Sequence, residues 1–126
     1  MELITENRHR MMQALISIKP RKIISFSPVN LEALKDREIS VIMNTKQFRD
    51  RPFDIPDKWQ VRLNNKIHAK IAIGSNGFII GSWNFSENST QNMHESVLRV
   101  NFESAPKLQQ ELSDFFEKLW ERSSEI

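Results

Sequence analysis

A short apolar hairpin between residues 66 and 81 constrains the fold of this chain more than any other segment. Apolar side chains occupy every second position from Lys66 to Ile73, which is the two-residue period of a β-strand. The sequence Gly74-Ser75-Asn76-Gly77 is typical of a tight turn, and the apolar run up to Gly81 returns as the partner strand. The alternation predicts that His68 and Lys70 lie on one face of a sheet, opposite Ile67, Ala69, Ile71 and Ile73.

Further strands and two amphipathic helices surround this hairpin. Apolar residues at helical spacing predict a helix from Glu6 to Ile18, capped by Thr5, and a C-terminal helix capped by Ser104 with Pro106 in its first turn. Strands are predicted at Lys22–Ser27, Ile39–Met43, Trp59–Leu63 and Ser96–Val100, with a short helix capped by Asn30 and an irregular loop from Thr45 to Lys58. This order indicates an α/β fold, a mixed β-sheet flanked by helices, in one domain of residues 1–126.

The composition excludes several classes of protein. The 126 residues, 39% of them hydrophobic, are enough for one compact domain. Because the chain has no cysteine, thiol catalysis, iron–sulfur clusters and cysteine-based zinc sites are excluded. No apolar run reaches the roughly 18 residues of a transmembrane helix, and the acidic N-terminal sequence does not resemble a secretory signal. A cytoplasmic protein that does not enter a membrane is therefore expected.

Positive charge is concentrated in one part of the chain. The formal net charge is only +2, but the segment from Lys19 to Lys70 contains twelve Lys and Arg against six Asp and Glu. Such a segment favours a polyanionic partner, although ordinary solvent-exposed charges would give the same pattern. If the partner is a nucleic acid, the residues expected to contact it are Arg49, Arg51, Lys58, Arg62 and Lys66.

Two pairs of polar residues flank the hairpin. His68 and Lys70 offer a nucleophilic imidazole and a cation that can bind a phosphate oxygen. Ser82 and Asn84 follow Gly81 and offer neutral hydrogen-bond donors. Each pair alone is common on exposed strands, but a tight hairpin brings the two together.

The joint pattern resembles the phospholipase D superfamily motif, H-x-K-x4-D-x6-G-S-x-N. The His, Lys, Gly, Ser and Asn of that motif match His68, Lys70, Gly81, Ser82 and Asn84 in order, with the glycine one residue early. The motif Asp is absent, because Ser75 stands in its place. The resemblance extends over the whole chain to the small single-motif endonucleases of bacteria. It implies a phospholipase D-like single domain.

The resemblance also implies a mechanism without a metal or any other cofactor. His68 attacks phosphorus to form a phosphohistidine, and Lys70, Ser82 and Asn84 hold the phosphoryl oxygens. Glu95 lies where the family places a carboxylate beside the catalytic histidine. A second imidazole is needed to protonate the leaving group, and a homodimer with two-fold symmetry would supply it. The implied substrate is nucleic acid, with DNA favoured over RNA.

Other interpretations of the same residues remain open. The missing Asp favours a catalytically weak or inactive module that binds nucleic acid. A phospholipase is less favoured, because no amphipathic membrane helix is evident. Trp83 could stack on a base, although its position favours the core. His9 and His94 show no metal-ligand spacing, and His9 is expected to be exposed. His94, beside Glu95, could face the site, although an exposed loop position is favoured.

Overall fold

The structure, a computed structural model, describes residues 1–29, 31–86 and 94–126. These residues form one mixed β-sheet with helices packed on it. Its strands are β1 (Glu2–Thr5), β2 (Pro20–Ser25), β3 (Ile39–Asn44), β4 (Trp59–Asn64), β5 (Ile71–Gly74), β6 (Gly77–Gly81), β7 (Ser96–Asn101) and β8 (Ser124–Glu125). Their order across the sheet is β1-β7-β6-β5-β2-β3-β4-β8. The helices are α1 (Arg8–Ser17), α2 (Thr45–Asp50) and α3 (Pro106–Glu121), with short 3-10 helices at Glu32–Leu34 and Phe102–Ser104.

The strand directions gather the polar segments at one end of the sheet. Strands β2, β3 and β4 run parallel to one another, while β5 is antiparallel to both β2 and β6. Strand β7 is antiparallel to β6. Consequently β2, β3, β4 and β6 finish at the end where β5 and β7 begin. We call this the polar end of the sheet, and it receives the residues that precede β5, follow β6 and precede β7.

Each face of the sheet carries its own apolar core. Helix α1 packs on one face with Ala72, Ile79 and Trp83, and α3 packs on the other with Ile73 and Phe78. Phe78 and Ile79 are both fully buried, so β6 is covered on both faces within one chain. The apolar hairpin is thus explained by intramolecular packing. No helix in the three described ranges is long and apolar enough to cross a bilayer.

The predicted α/β class and the flanking helices are confirmed. The predicted alternation of the hairpin side chains between the two faces of the sheet is confirmed as well. Ile67 and Ile73 contribute to the core beneath α3, whereas Ala72 contributes to the opposite core. The prediction that this strand begins at Lys66 is wrong, because the paired residues start at Ile71. The segment before Ile71 is held by other contacts, which also position its side chains.

Several predicted element ends are also wrong. Residues 45–50 form α2 instead of a loop, because the Asn44 side chain accepts a hydrogen bond from the Gln47 amide and caps the helix. Asn7 caps α1 in place of Thr5, and α3 follows Ala105 without a side-chain cap. Strands β1 and β8 were not predicted, since both are short, mostly exposed edge strands. The predicted cap Asn30 lies outside the described residues.

Candidate functional site

The segment that carries His68 and Lys70 is anchored by a buried asparagine. The Asn44 Nδ2 donates to the backbone oxygen of Ile67 over 3.1 Å, immediately before His68. The side chain of Ile67 is buried in the core beneath α3, which fixes the other side of the segment. His68 is therefore held at the polar end of the sheet with its side chain exposed.

Replacing Asn44 by Ala is expected to destabilise the protein by about 2 kcal/mol, because it removes both a helix cap and a buried hydrogen bond. Asn44→Ser should recover about 1 kcal/mol of this, since Ser also caps helices but is too short to reach Ile67. Urea denaturation of the two variants and the wild type measures both effects. Equal denaturation midpoints for Asn44→Ala and the wild type would contradict this role.

An aromatic ring lies close to both His68 and Lys70. Phe26 follows β2, and its ring centroid is 4.6 Å from that of the His68 imidazole. The Lys70 ammonium lies 5.6 Å from the same phenyl ring and donates to the backbone oxygen of His68 over 3.1 Å. The face of an aromatic ring attracts a cation, so Phe26 restrains Lys70 next to His68. Within the described ranges, the His68 imidazole has no hydrogen-bond partner, which leaves both ring nitrogens accessible.

The Asn84 carboxamide is held in a defined orientation. Its Oδ1 accepts from the Ser27 amide over 3.2 Å, and its backbone oxygen accepts from the buried Ser25 hydroxyl over 3.1 Å. The Asn84 Nδ2 has no acceptor among the residues that the structure describes. An oriented, unused amide donor at the polar end is suited to an anionic oxygen.

Ser82 is engaged with the neighbouring strand. Its Oγ accepts from the Ser96 amide over 2.9 Å and donates to the Ser96 oxygen over 3.3 Å. The strands approach so closely here that a Cβ on Gly81 would lie 2.2 Å from that same oxygen, so only glycine fits. Ser82 thus lies at the polar end, but its hydroxyl is hydrogen-bonded to the backbone of Ser96 in β7.

Three charged side chains, Arg8, Lys70 and Glu95, act on one another at the polar end. Burial lowers the pKa of Lys70, and the nearby Glu95 carboxylate opposes that shift. Burial likewise raises the pKa of Glu95, while Arg8 and Lys70 oppose it. Glu95 is fixed by its backbone oxygen, which accepts from the Glu6 amide over 2.8 Å. In the described part of the chain no hydrogen bond joins Glu95 to His68, so its expected role in orienting the imidazole stays a prediction.

The position of the missing motif Asp lies at the opposite end of the sheet. Ser75 is in the β5–β6 turn, where its amide donates to the Lys19 oxygen. The four residues of β5 separate this turn from Lys70, a span of about 13 Å. An acid at Ser75 would therefore not touch a group bound at His68 within the same chain.

The five basic residues predicted to contact nucleic acid are distributed over the whole sheet. Arg49 and Lys66 line one cleft at the polar end. Lys58 precedes β4 and thus lies at the opposite end. Arg62 packs against α3, with its guanidinium 4.5 Å from the Trp120 ring and bonded to the Trp120 oxygen over 2.8 Å. Arg51 is exposed and donates to Gln47.

The remaining candidates have structural or surface positions. Trp83 is fully buried and packs against Phe85, so it is a core residue and cannot stack on a base. His9 is exposed on α1, and His94 is exposed and paired with Glu6. Within the described ranges, no three His, Asp or Glu side chains form a group that could hold a metal ion.

Two solved structures share the fold of this chain over nearly its whole length. NucT from Helicobacter pylori superposes with a TM-score of 0.71 at 18% identity, covering 99% of this chain and 98% of that chain. The phospholipase D family member Nuc from Salmonella typhimurium superposes with a TM-score of 0.72 at 12% identity, covering 99% and 97%. The chain has a phospholipase D-like fold. This result confirms the fold that the motif implied.

The phospholipase D-like fold also occurs as part of a longer chain. TrmBL2, an archaeal chromatin protein whose structure shows a mode of DNA binding, superposes with a TM-score of 0.65 at 13% identity. The match covers 100% of this chain and 54% of that one. No protein-family model matches the sequence, and no curated protein does.

Sequence reasoning missed the residues that support the motif. Two of them, Phe26 and Ser27, follow β2, and Asn44 is the last residue of β3. A fourth, Arg8, is the first residue of α1. Polar residues at the carboxyl ends of adjacent parallel strands are a signal that could have identified Ser27 and Asn44. Nothing in the sequence indicates that Phe26 would contact His68, since the contact depends on β5 pairing with β2.

Proposed function

We propose that this protein is a nuclease that hydrolyses phosphodiester bonds of nucleic acid through a phosphohistidine at His68. The single observation that carries the proposal is that His68 and Lys70 both contact Phe26 while the Asn84 carboxamide is bound by the next residue, Ser27, at the polar end of a phospholipase D-like sheet. An accessible nucleophile, a cation and an unused amide donor together match the needs of an attack on a phosphate. The segment rich in Lys and Arg supports a nucleic-acid substrate over a lipid.

In the proposed first step, one imidazole nitrogen of His68 forms a bond to phosphorus as the bond to the leaving oxygen breaks. Lys70 and the Asn84 Nδ2 stabilise the charge that develops on the phosphoryl oxygens. The leaving oxygen takes a proton from a second imidazole. Water then attacks phosphorus, breaks the bond to His68 and gives its proton to that second imidazole. Each phosphodiester thus yields one phosphate monoester and one free hydroxyl.

We propose that a second copy of the chain supplies the second imidazole, as two-fold symmetry at the polar end would bring two His68 side chains to one phosphate. His94, the residue before Glu95, is paired with Glu6 and has a side chain that is 90% exposed. A site with two identical imidazoles and paired Lys70 and Asn84 donors encloses the phosphate from both sides. The site of one chain would then be incomplete.

The direct test is cleavage of a single-stranded oligonucleotide and of a plasmid in EDTA, with the 5′- or 3′-phosphate products identified. We expect cleavage of at least one substrate and, after rapid alkaline denaturation, retention of labelled phosphate on the protein. A wild-type protein that cleaves neither substrate, or that cleaves them only after metal is added, would overturn the proposed mechanism. Size measurement in the same buffer tests the dimer, since a strict monomer would contradict it.

A second candidate function is a DNA-binding module without catalysis. It is favoured by the likeness of the fold to TrmBL2, a chromatin protein whose structure shows a mode of DNA binding. The same assay separates the two functions. Tight binding of DNA without cleavage or labelled protein would support the second candidate and exclude the first.

A further inference from the structure

A basic cleft lies past the end of β4, at the polar end of the sheet. It has a volume of about 680 Å³, and Ile67, the residue before His68, forms part of its wall. Leu63 from one core and Leu119 from the other also line it, so the cleft crosses the end of the sheet. Three cations surround this apolar floor: Arg49 from α2, Lys66 after β4 and Arg122 after α3.

These cations are not neutralised by neighbouring acids. Within the described residues, Arg49, Lys66 and Arg122 form no salt bridge. The one carboxylate in the lining, Glu125, is 85% exposed and faces Arg62 at 4.0 Å. Three exposed, unpaired cations around an apolar floor form a local positive field that attracts an anion with an apolar part.

Two other clefts of the molecule have a different charge balance. One is lined by four acids and two lysines, namely Glu32, Asp36, Asp54, Asp57, Lys35 and Lys58. The other lies at the opposite end of the sheet and combines Arg21, Lys22 and Lys58 with Glu38 and Asp57. In that cleft Lys22 is bound to Glu117 over 2.7 Å. An excess of unpaired cations therefore distinguishes the cleft beside His68 from both.

We propose that this cleft binds the phosphate and base of a nucleotide next to the scissile phosphate, so that the substrate is a nucleic-acid strand and not an isolated phosphodiester. The proposal rests on the proposed function for its scissile phosphate. Lys66 and His68 are two residues apart, so their Cα atoms are at most about 7 Å apart, close enough for phosphates of one strand. Leu63, Ile67 and Leu119 provide an apolar surface for the sugar and base.

The test compares two double variants that each remove two exposed cations. The cleft variant combines Arg49→Ala and Arg122→Ala and so removes two charges from the cleft. The opposite-end variant combines Arg21→Ala and Lys107→Ala and removes two charges from the other end of the sheet. Affinity for a single-stranded octanucleotide is measured at several salt concentrations in a His68→Asn background, which prevents turnover. The ratio of kcat/KM for the octanucleotide to that for a dinucleotide is measured with His68 present.

We expect the cleft variant to bind the octanucleotide at least about 10-fold more weakly and to reduce the salt slope by about 1 to 1.5. We also expect its kcat/KM ratio of octanucleotide to dinucleotide to fall at least about 10-fold. The opposite-end variant should match the wild type in every measurement. If the two variants bind the octanucleotide with equal affinity and have equal kcat/KM ratios, the cleft does not bind the neighbouring nucleotide. The proposed nuclease function would not be affected by that result. A wild type that cleaves neither substrate would instead overturn the proposed function, whatever the affinities.

A lipid substrate is a further outcome of the same comparison. Anionic phospholipid vesicles replace the oligonucleotides, and released headgroup is measured. The proposed nucleotide subsite would be wrong if the wild type hydrolysed the vesicles and also showed no preference for the octanucleotide over the dinucleotide. The expected result is cleavage of the octanucleotide and no release of headgroup.

Discussion

Replacing His68 by Ala is expected to reduce cleavage of an oligonucleotide by at least about 10³-fold, because the proposed covalent intermediate forms on this imidazole. The exposed His68 side chain contributes little to the core, so the variant should fold like the wild type. Single-turnover cleavage measures the loss, and the labelled protein intermediate should disappear with it. Residual hydrolysis would come from Lys70 and Asn84 binding the phosphate alone.

His9→Ala is the matched control, since His9 is also exposed but lies on α1. It should cleave at the wild-type rate. Cleavage by His68→Ala at that same rate would exclude a phosphohistidine at this position. Circular dichroism of both variants separates a lost nucleophile from a lost fold.

Mixtures of wild-type and His68→Ala chains test whether one site uses two subunits. If each site needs both imidazoles, activity after subunit exchange should follow the square of the wild-type fraction, so an equal mixture keeps about one quarter of the activity. Independent sites would keep about one half. A linear dependence would therefore contradict the two-subunit site even if His68 proves essential.

The sequence predicted the central strands because their apolar patterns are local. Alternation between residues 66 and 73 identified the face that carries His68 and Lys70, and the hairpin brought Ser82 and Asn84 beside them. Motif spacing therefore identified the residues of the proposed site. Burial on two faces also explains why β6 has no polar side chains, which a single sequence could equally attribute to a subunit interface.

The contacts of the supporting residues could not be predicted, because they join segments far apart in the chain. Phe26 reaches His68 only through the β2–β5 pairing, and Asn44 reaches Ile67 from the end of β3. The edge strands β1 and β8 are too short for a pattern to distinguish them from loops. Arg62 was predicted from its charge to contact nucleic acid, and the sequence did not indicate that its guanidinium would pack on Trp120. Charge alone does not distinguish these two uses of an arginine.

Replacing Lys70 by Ala is expected to lower kcat by about 10²- to 10³-fold, since the ammonium stabilises charge on the phosphoryl oxygens in the transition state. Lys70→Arg should recover part of this activity, because the guanidinium keeps the charge but changes the position of the donors. The Phe26 ring beside the ammonium limits how far a longer side chain can adjust. Steady-state kinetics on a small phosphodiester measure both variants.

The pH dependence of phosphate binding tests the same ammonium without removing it. Burial lowers the pKa of Lys70 from its ordinary value of 10.5, so the protonated form is lost at a lower pH than for a solvated lysine. In a His68→Asn background, which removes the imidazole, affinity for a dinucleotide should therefore weaken on the alkaline side with a midpoint below pH 10.5. The Glu95 carboxylate opposes this shift, because a negative charge favours the protonated lysine.

Removing that negative charge with Glu95→Gln is consequently expected to lower the pKa of Lys70 further and to move the alkaline limb of this affinity profile to lower pH. Glu103→Gln provides the control, because Glu103 is exposed and follows β7 at the opposite end of the sheet. It should leave the limb at the pH found with Glu103 and Glu95 both present. An alkaline limb that stays in place or moves upward in Glu95→Gln would show that phosphate affinity does not depend on a lysine held by this carboxylate. A limb that persists unchanged in Lys70→Ala would assign it to another group altogether.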